Sequence, residues 1–60
     1  MKHLNPDLSR RLAKVASYFL ITDIEFRRKL YAEFEKGKTF EELPEEYQKR
    51  IEEAEKIVAS

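Results

Sequence analysis

The chain has no cysteine and no tryptophan, one glycine, two prolines and one histidine. Without cysteine there is no disulfide framework, no thiolate metal site and no thiol nucleophile. One glycine is too few for a Gly-rich phosphate loop. The lone histidine, His3, precedes the first helix signal. A catalytic base or metal ligand needs a rigid element to hold it, so His3 reads as a solvated terminal residue. No apolar run approaches the ~20 residues of a membrane span, and no membrane association is expected. The opening Met1-Lys2-His3-Leu4-Asn5-Pro6 lacks the apolar stretch of a secretion signal. The expected location is therefore cytoplasmic.

Charge is abundant. Charged residues make up 40% of the 60-residue chain, twelve basic and twelve acidic, for a net charge of zero. The halves differ: residues 1–30 hold seven basic and three acidic side chains, leaving +4, and residues 31–60 hold five and nine, leaving −4. A dipolar chain of this kind has no bulk attraction for nucleic acid, and any basic binding face must come from the first half. The length predicts one domain, residues 1–60. A domain this small buries only about 60% of the surface its unfolded chain exposes, so helix ends and surface pairs matter to its stability.

Asn5-Pro6-Asp7 reads as a helix start, with Asn5 as cap, Pro6 in the first turn and Asp7 at the positive end of the helix. Leu8, Leu12, Val15 and Phe19 then recur on one helical face, with Ala16 and Leu20 expected to widen it. This predicts a helix over about 6–20. Thr22-Asp23-Ile24-Glu25 has the pattern of a capping box, with Thr22 as the cap and Ile21 and Phe26 placed as a hydrophobic staple. A second helix is expected over 23–36, with Phe26, Leu30 and Phe34 inward and Tyr31 beside them. Gly37 suits the left-handed residue that ends it.

Thr39-Phe40-Glu41-Glu42 repeats the capping pattern, and Pro44 comes soon after. Residues 39–43 are expected to form a tight turn with Phe40 and Leu43 inward. Pro44 then opens a third helix, 44–58, on the stripe Tyr47, Ile51, Ala54 and Val58. Ala59 and Ser60 are expected to fray. Surface pairs are spaced at Glu25–Lys29, Lys29–Glu33, Glu45–Lys49, Glu46–Arg50 and Glu52–Lys56. The fold class expected is all-α, a compact antiparallel three-helix bundle.

No residue set suggests catalysis, and no cofactor or metal is expected. Asp7 and Asp23 sit where helix starts need acids. Glu41-Glu42, Glu45-Glu46 and Glu52-Glu53 read as solvated helix faces, because calcium sites need a loop that wraps the ion. The candidate partner-binding residues are Arg11, Lys14 and Tyr18, which share a helical face beside the first core stripe. An aromatic-plus-basic patch suits phosphates or an acidic protein partner. The plainer account is a solvated face whose long stems cover apolar edges, with Glu33 and Glu35 neutralising Arg10 and Lys14. Tyr18-Phe19-Leu20-Ile21 cannot all face one way, and Tyr18 is expected to stay partly exposed.

The segments Ile21-Thr22-Asp23-Ile24-Glu25-Phe26 and Phe40-Glu41-Glu42-Leu43-Pro44 resemble the villin headpiece family over about half the chain. The resemblance implies three helices, phenylalanines in the core and a Phe-x-x-Leu-Pro lead-in to the last helix. The Phe26–Phe40 segment is longer than that pattern, and Tyr47 falls one position after the family's tryptophan. Glu52-Glu53-Ala54-Glu55 stands where the family has a basic and apolar actin-binding end. No actin-binding residue is carried over.

The function expected is a small non-enzymatic helical protein–protein interaction module. It would be an adaptor or regulator, of the kind plasmids and phages carry, meeting a protein partner through the first helix. One alternative is an engineered or de novo designed scaffold with no biological activity, which the balanced charge, regular pairs and repeated caps suit. Another is a DNA-binding protein using the basic first half. Helix two offers Arg27, Arg28 and Lys29, but the turn before it lacks the usual glycine and helix three is acidic. Nucleic acid is thus not the expected partner. The spacing of Tyr47-Ile51-Ala54-Val58 is also that of a coiled-coil seam, so a monomer or weak homodimer is expected.

Overall fold

The computed structural model describes residues 4–60, which leaves His3 outside the described residues. The chain forms helices α1 (Pro6–Thr22), α2 (Ile24–Glu35) and α3 (Glu45–Ala59), with one 3-10 turn at Phe40–Glu42 before α3. The protein is a compact all-α bundle in which α1 packs against both α2 and α3. Lys14 shares a groove with Val58, Tyr18 with Ala54 and Ile57, and Asp23 reaches Arg50. Numbers rise along α1 as they fall along α3, so these two helices are antiparallel.

α1 begins as its sequence dictates. The Asn5 side chain accepts the Leu8 amide at 2.8 Å, Pro6 fills the first turn, and Asp7 stands at the positive end. A cap of this type contributes about 1 kcal/mol. The face Leu8, Leu12, Val15 and Phe19 is fully buried. Phe26, Leu30 and Phe34 from α2, Leu43 from the turn, and Ile51 and Ala54 from α3 complete the core. Tyr18, Tyr31, Phe40 and Tyr47 pack around it. Edge-to-face contacts run from Phe19 to Phe26 (4.9 Å) and from Phe26 to Tyr47 (5.1 Å), linking all three helices.

The corner between α1 and α2 differs from the sequence reading. α1 continues through Thr22, whose hydroxyl donates to the Tyr18 carbonyl at 2.8 Å. Thr22 is therefore inside the helix and is not the cap. Asp23 is the cap, accepting the Phe26 amide at 3.0 Å, while its own amide donates to Phe19 O at 2.8 Å. One residue closes α1 and opens α2. With the cap moved by one, the expected staple loses its register, and Ile21 is 84% exposed. Leu20 does not widen the buried face either; it is 50% exposed.

The second connection is longer. Gly37 takes φ 85° after α2 ends at Glu35, a conformation that costs other residues a Cβ clash. The Glu42 carboxylate accepts the Thr39 amide at 2.8 Å, and Leu43 points into the core with Phe40 partly buried beside it. Pro44 is the cap of α3, its carbonyl accepting from the Tyr47 and Gln48 amides. The Gln48 side chain donates back to the Glu41 and Leu43 carbonyls at 3.2 and 2.9 Å, tying α3 to the turn. The Phe40-to-Pro44 segment thus leads into the last helix. Ala59 stays helical.

The stripe on α3 is shorter than its spacing suggests. Tyr47, Ile51 and Ala54 pack inward, but Val58 is 48% exposed, as is Ile57 beside it. Of the spaced surface pairs, only Glu45–Lys49 forms, at 3.3 Å. Among the described residues, Glu25, Lys29, Glu46, Glu52 and Lys56 form no ion pair. Arg50 takes a tertiary partner, Asp23, and Glu33 takes Lys36 and Lys38 just past the end of its own helix.

Candidate functional site

The three residues singled out from sequence, Arg11, Lys14 and Tyr18, all lie on the edge of α1 that meets α3. The structure gives them different occupations. Arg11 is engaged within the chain. Its Nη2 and Nε donate to the two Glu55 oxygens at 2.8 and 3.1 Å, a bidentate pair joining α1 to α3. Its guanidinium also lies 3.8 Å from the Phe40 ring centroid. Planar guanidinium suits both contacts at once. Hydrogen bonding to Arg11 holds the Glu55 carboxyl below its ordinary range, against the opposing effect of burial. The same bond raises Arg11 further.

A second arginine closes the other end of the α1–α3 contact. Arg50 pairs with Asp23 at 3.2 Å and lies 4.0 Å from the Phe26 centroid and 5.7 Å from that of Phe19. The Phe26 amide bond, assisted by the Arg50 pair, pulls the Asp23 carboxyl below its usual value. The i,i+4 spacing assigns Arg50 to Glu46; the folded chain instead places the Asp23 carboxylate within reach and an aromatic face beneath.

Between these two clamps the surface is open. Tyr18, Arg50, Glu53, Ala54 and Ile57 line one shallow groove. Lys14, Glu55, Val58 and Ala59 line the next. The Tyr18 ring packs edge-on to Phe19 at 5.4 Å and stays partly exposed. Ile21 lies one turn further along the same side of α1. The exposure of Ile57 in the Tyr18 groove, of Val58 in the Lys14 groove and of Ile21 was missed by sequence reasoning. Spacing alone puts Ile21 in a staple and Val58 in the core, and assigns Ile57 no role.

Lys14 is exposed and forms no ion pair among the described residues, and Glu53 is likewise exposed and without one. Of their groove neighbours, Glu55 is committed to Arg11 and Arg50 to Asp23. The expected neutralisation of Arg10 and Lys14 by Glu33 and Glu35 does not occur. Arg10 pairs with Asp7, and Glu33 takes Lys36 and Lys38. Those lysine bonds, Lys38 first, lower the Glu33 carboxyl.

The basic run of α2 is also partly used. Arg27 lies 5.0 Å from the Tyr31 centroid, whereas Arg28 and Lys29 face solvent. Among the described residues, no group of three histidine, cysteine or acidic side chains is gathered as a metal site would need. Among them too, no helix is long and apolar enough to cross a membrane. No family model matches the chain, and no curated protein or solved structure matches it.

Proposed function

We propose that the chain is a small non-enzymatic interaction module, an adaptor or regulator in the cytoplasm, that offers the α1–α3 face to a protein partner. The observation that carries this reading is exposed Ile57 in the groove with partly exposed Tyr18, exposed Val58 in the neighbouring groove with Lys14, and exposed Ile21 one helical turn beyond Tyr18, on a chain rich in charge. Single exposed apolar residues are ordinary; several on one face, rimmed by charge, favour a binding surface. Tyrosine suits its centre, because a large rigid ring gives contact area and its hydroxyl tolerates water. Lys14 belongs to this surface as a rim charge. Arg11 supports it from beneath as a fixed strut.

The DNA-binding alternative has less behind it. Arg11 and Arg50 are committed to carboxylates and rings, and α3 presents acidic side chains beside the most exposed part of α1.

The test is affinity capture with the wild-type chain, with Tyr18→Ala/Lys14→Glu, and with Ile21→Asp. Ile21 touches little, so Ile21→Asp should leave the melting curve in place while capture is lost. Undiminished capture by both variants would reject this face.

A further inference from the structure

We propose that the occupant of the α1–α3 face is a second copy of the same chain, docked about a two-fold axis through Tyr18 and Ile57. The proposal rests on the reading of that face as a binding surface and names its partner. It starts from the charges at the two ends of the exposed patch. Lys14 stands at one end, beside Val58 and Ala59. Glu53 stands at the other, in the groove with Arg50, Tyr18 and Ile57. Both are exposed, and neither forms an ion pair among the described residues, since the clamps have taken the neighbouring Glu55 and Arg50.

A patch with a cation at one end and an anion at the other is poorly matched to a partner of one charge sign. Such a partner gains at one end and is repelled at the other. A two-fold rotation about the patch centre exchanges the ends. It sets Lys14 of each copy toward Glu53 of the other and covers Ile57, Tyr18 and Ile21 with their own counterparts. That is the self-complementarity an isologous interface requires. The chain as a whole has the same character, with zero net charge and opposite signs in its two halves, so two copies meet without bulk repulsion.

The experiment measures molar mass over a hundredfold range of concentration at low salt, where rim charges are least screened. The wild type, Lys14→Glu and Glu53→Lys are run alone, and then the two variants are mixed. Both substitutions are at exposed positions, and unchanged melting curves confirm folding. The wild type should dimerise. Each variant alone should dimerise at least about tenfold more weakly, because each two-fold contact then holds like charges. The mixture should recover wild-type association. In it the Lys14→Glu chain carries an acid at both ends of the patch and the Glu53→Lys chain a base at both, so both contacts pair opposite charges. Recovery in the mixture is the signature of this pairing and of no other partner. A wild type that stays monomeric throughout overturns the self-partner while leaving the capture test of the face itself standing. Dimerisation indifferent to both substitutions overturns the geometry, as does a mixture that fails to recover.

Discussion

Two stretches of the α1–α3 contact use similar residue types to opposite ends. At the Arg11 stretch, a cation, a carboxylate and an aromatic ring close on one another: Arg11, Glu55 and Phe40. At the Lys14–Tyr18 stretch, a cation, a carboxylate and an aromatic ring are again present, as Lys14, Glu53 and Tyr18, yet no ion pair joins them. The difference is geometry. Guanidinium can bond a carboxylate edge-on while stacking on a ring, whereas an ammonium is a point charge that stays hydrated. The closed stretch therefore ties α1 to α3, and the open one leaves Lys14 and Glu53 without an ion pair among the described residues.

The largest effect should come from removing the ring that supports the Arg50 clamp. Phe26→Ala strips the shared neighbour of Phe19, Tyr47 and Arg50. Such truncations cost about 3–5 kcal/mol. In a 60-residue chain that should abolish the cooperative thermal transition seen by circular dichroism. Asp23→Ala should come next, lowering the melting temperature clearly. Asp23→Asn should lower it less, since asparagine keeps the cap and loses only the charge. Equal losses from the two would show that the Arg50 pair matters more than the cap.

Smaller again is the Arg11–Glu55 pair. A double-mutant cycle with Arg11→Met and Glu55→Gln should give a coupling of roughly 0.5–1 kcal/mol in urea melts, the range for partly exposed pairs. Its pH dependence has a definite sign. Glu55, Asp23 and Glu33 all have carboxyls lowered in the folded chain. Their stabilisation is complete above the unfolded carboxylate range and fades as pH falls through the lower folded values. Melting temperature should stay level from neutral pH to about 5 and fall below about 4. Glu55→Gln should flatten that fall. The smallest effect belongs to the open stretch. Ile21→Ser should change stability by no more than about 0.5 kcal/mol; a larger loss would mean the side chain is packed and the surface is not free.

The central stripe of the buried face of α1 was legible, though its expected widening to Leu20 was not borne out. Leu8, Leu12, Val15 and Phe19 repeat at helical spacing, and a face that regular has one way to be buried. Asn5, Gly37 and Leu43 were legible because each does a job that few residue types can do. The α1–α2 corner was misread by one position, since Thr22 and Asp23 are both good caps. The choice fell to Asp23 because Thr22 can stay helical by bonding back to the Tyr18 carbonyl, and because Asp23 also finds Arg50. Arg11's partner was beyond any local rule, lying 44 residues away. Val58 failed for a related reason. Periodicity shows which side of a helix is apolar; it does not show how far the neighbouring helix extends to cover it.

The single-residue corner at Asp23 leaves the chain no slack. Inserting one residue there would turn α2 by about 100° around its own axis. Phe26, Leu30 and Phe34 would swing away from α1 together, and the Arg50 clamp would lose both its carboxylate and its ring. The segment between Glu35 and Phe40 has no such constraint, because Gly37 reverses the chain without fixing the rotational phase of the next helix. Additions to this protein, whether by mutation or by a fused tag, should therefore be tolerated on one side of α2 and not on the other.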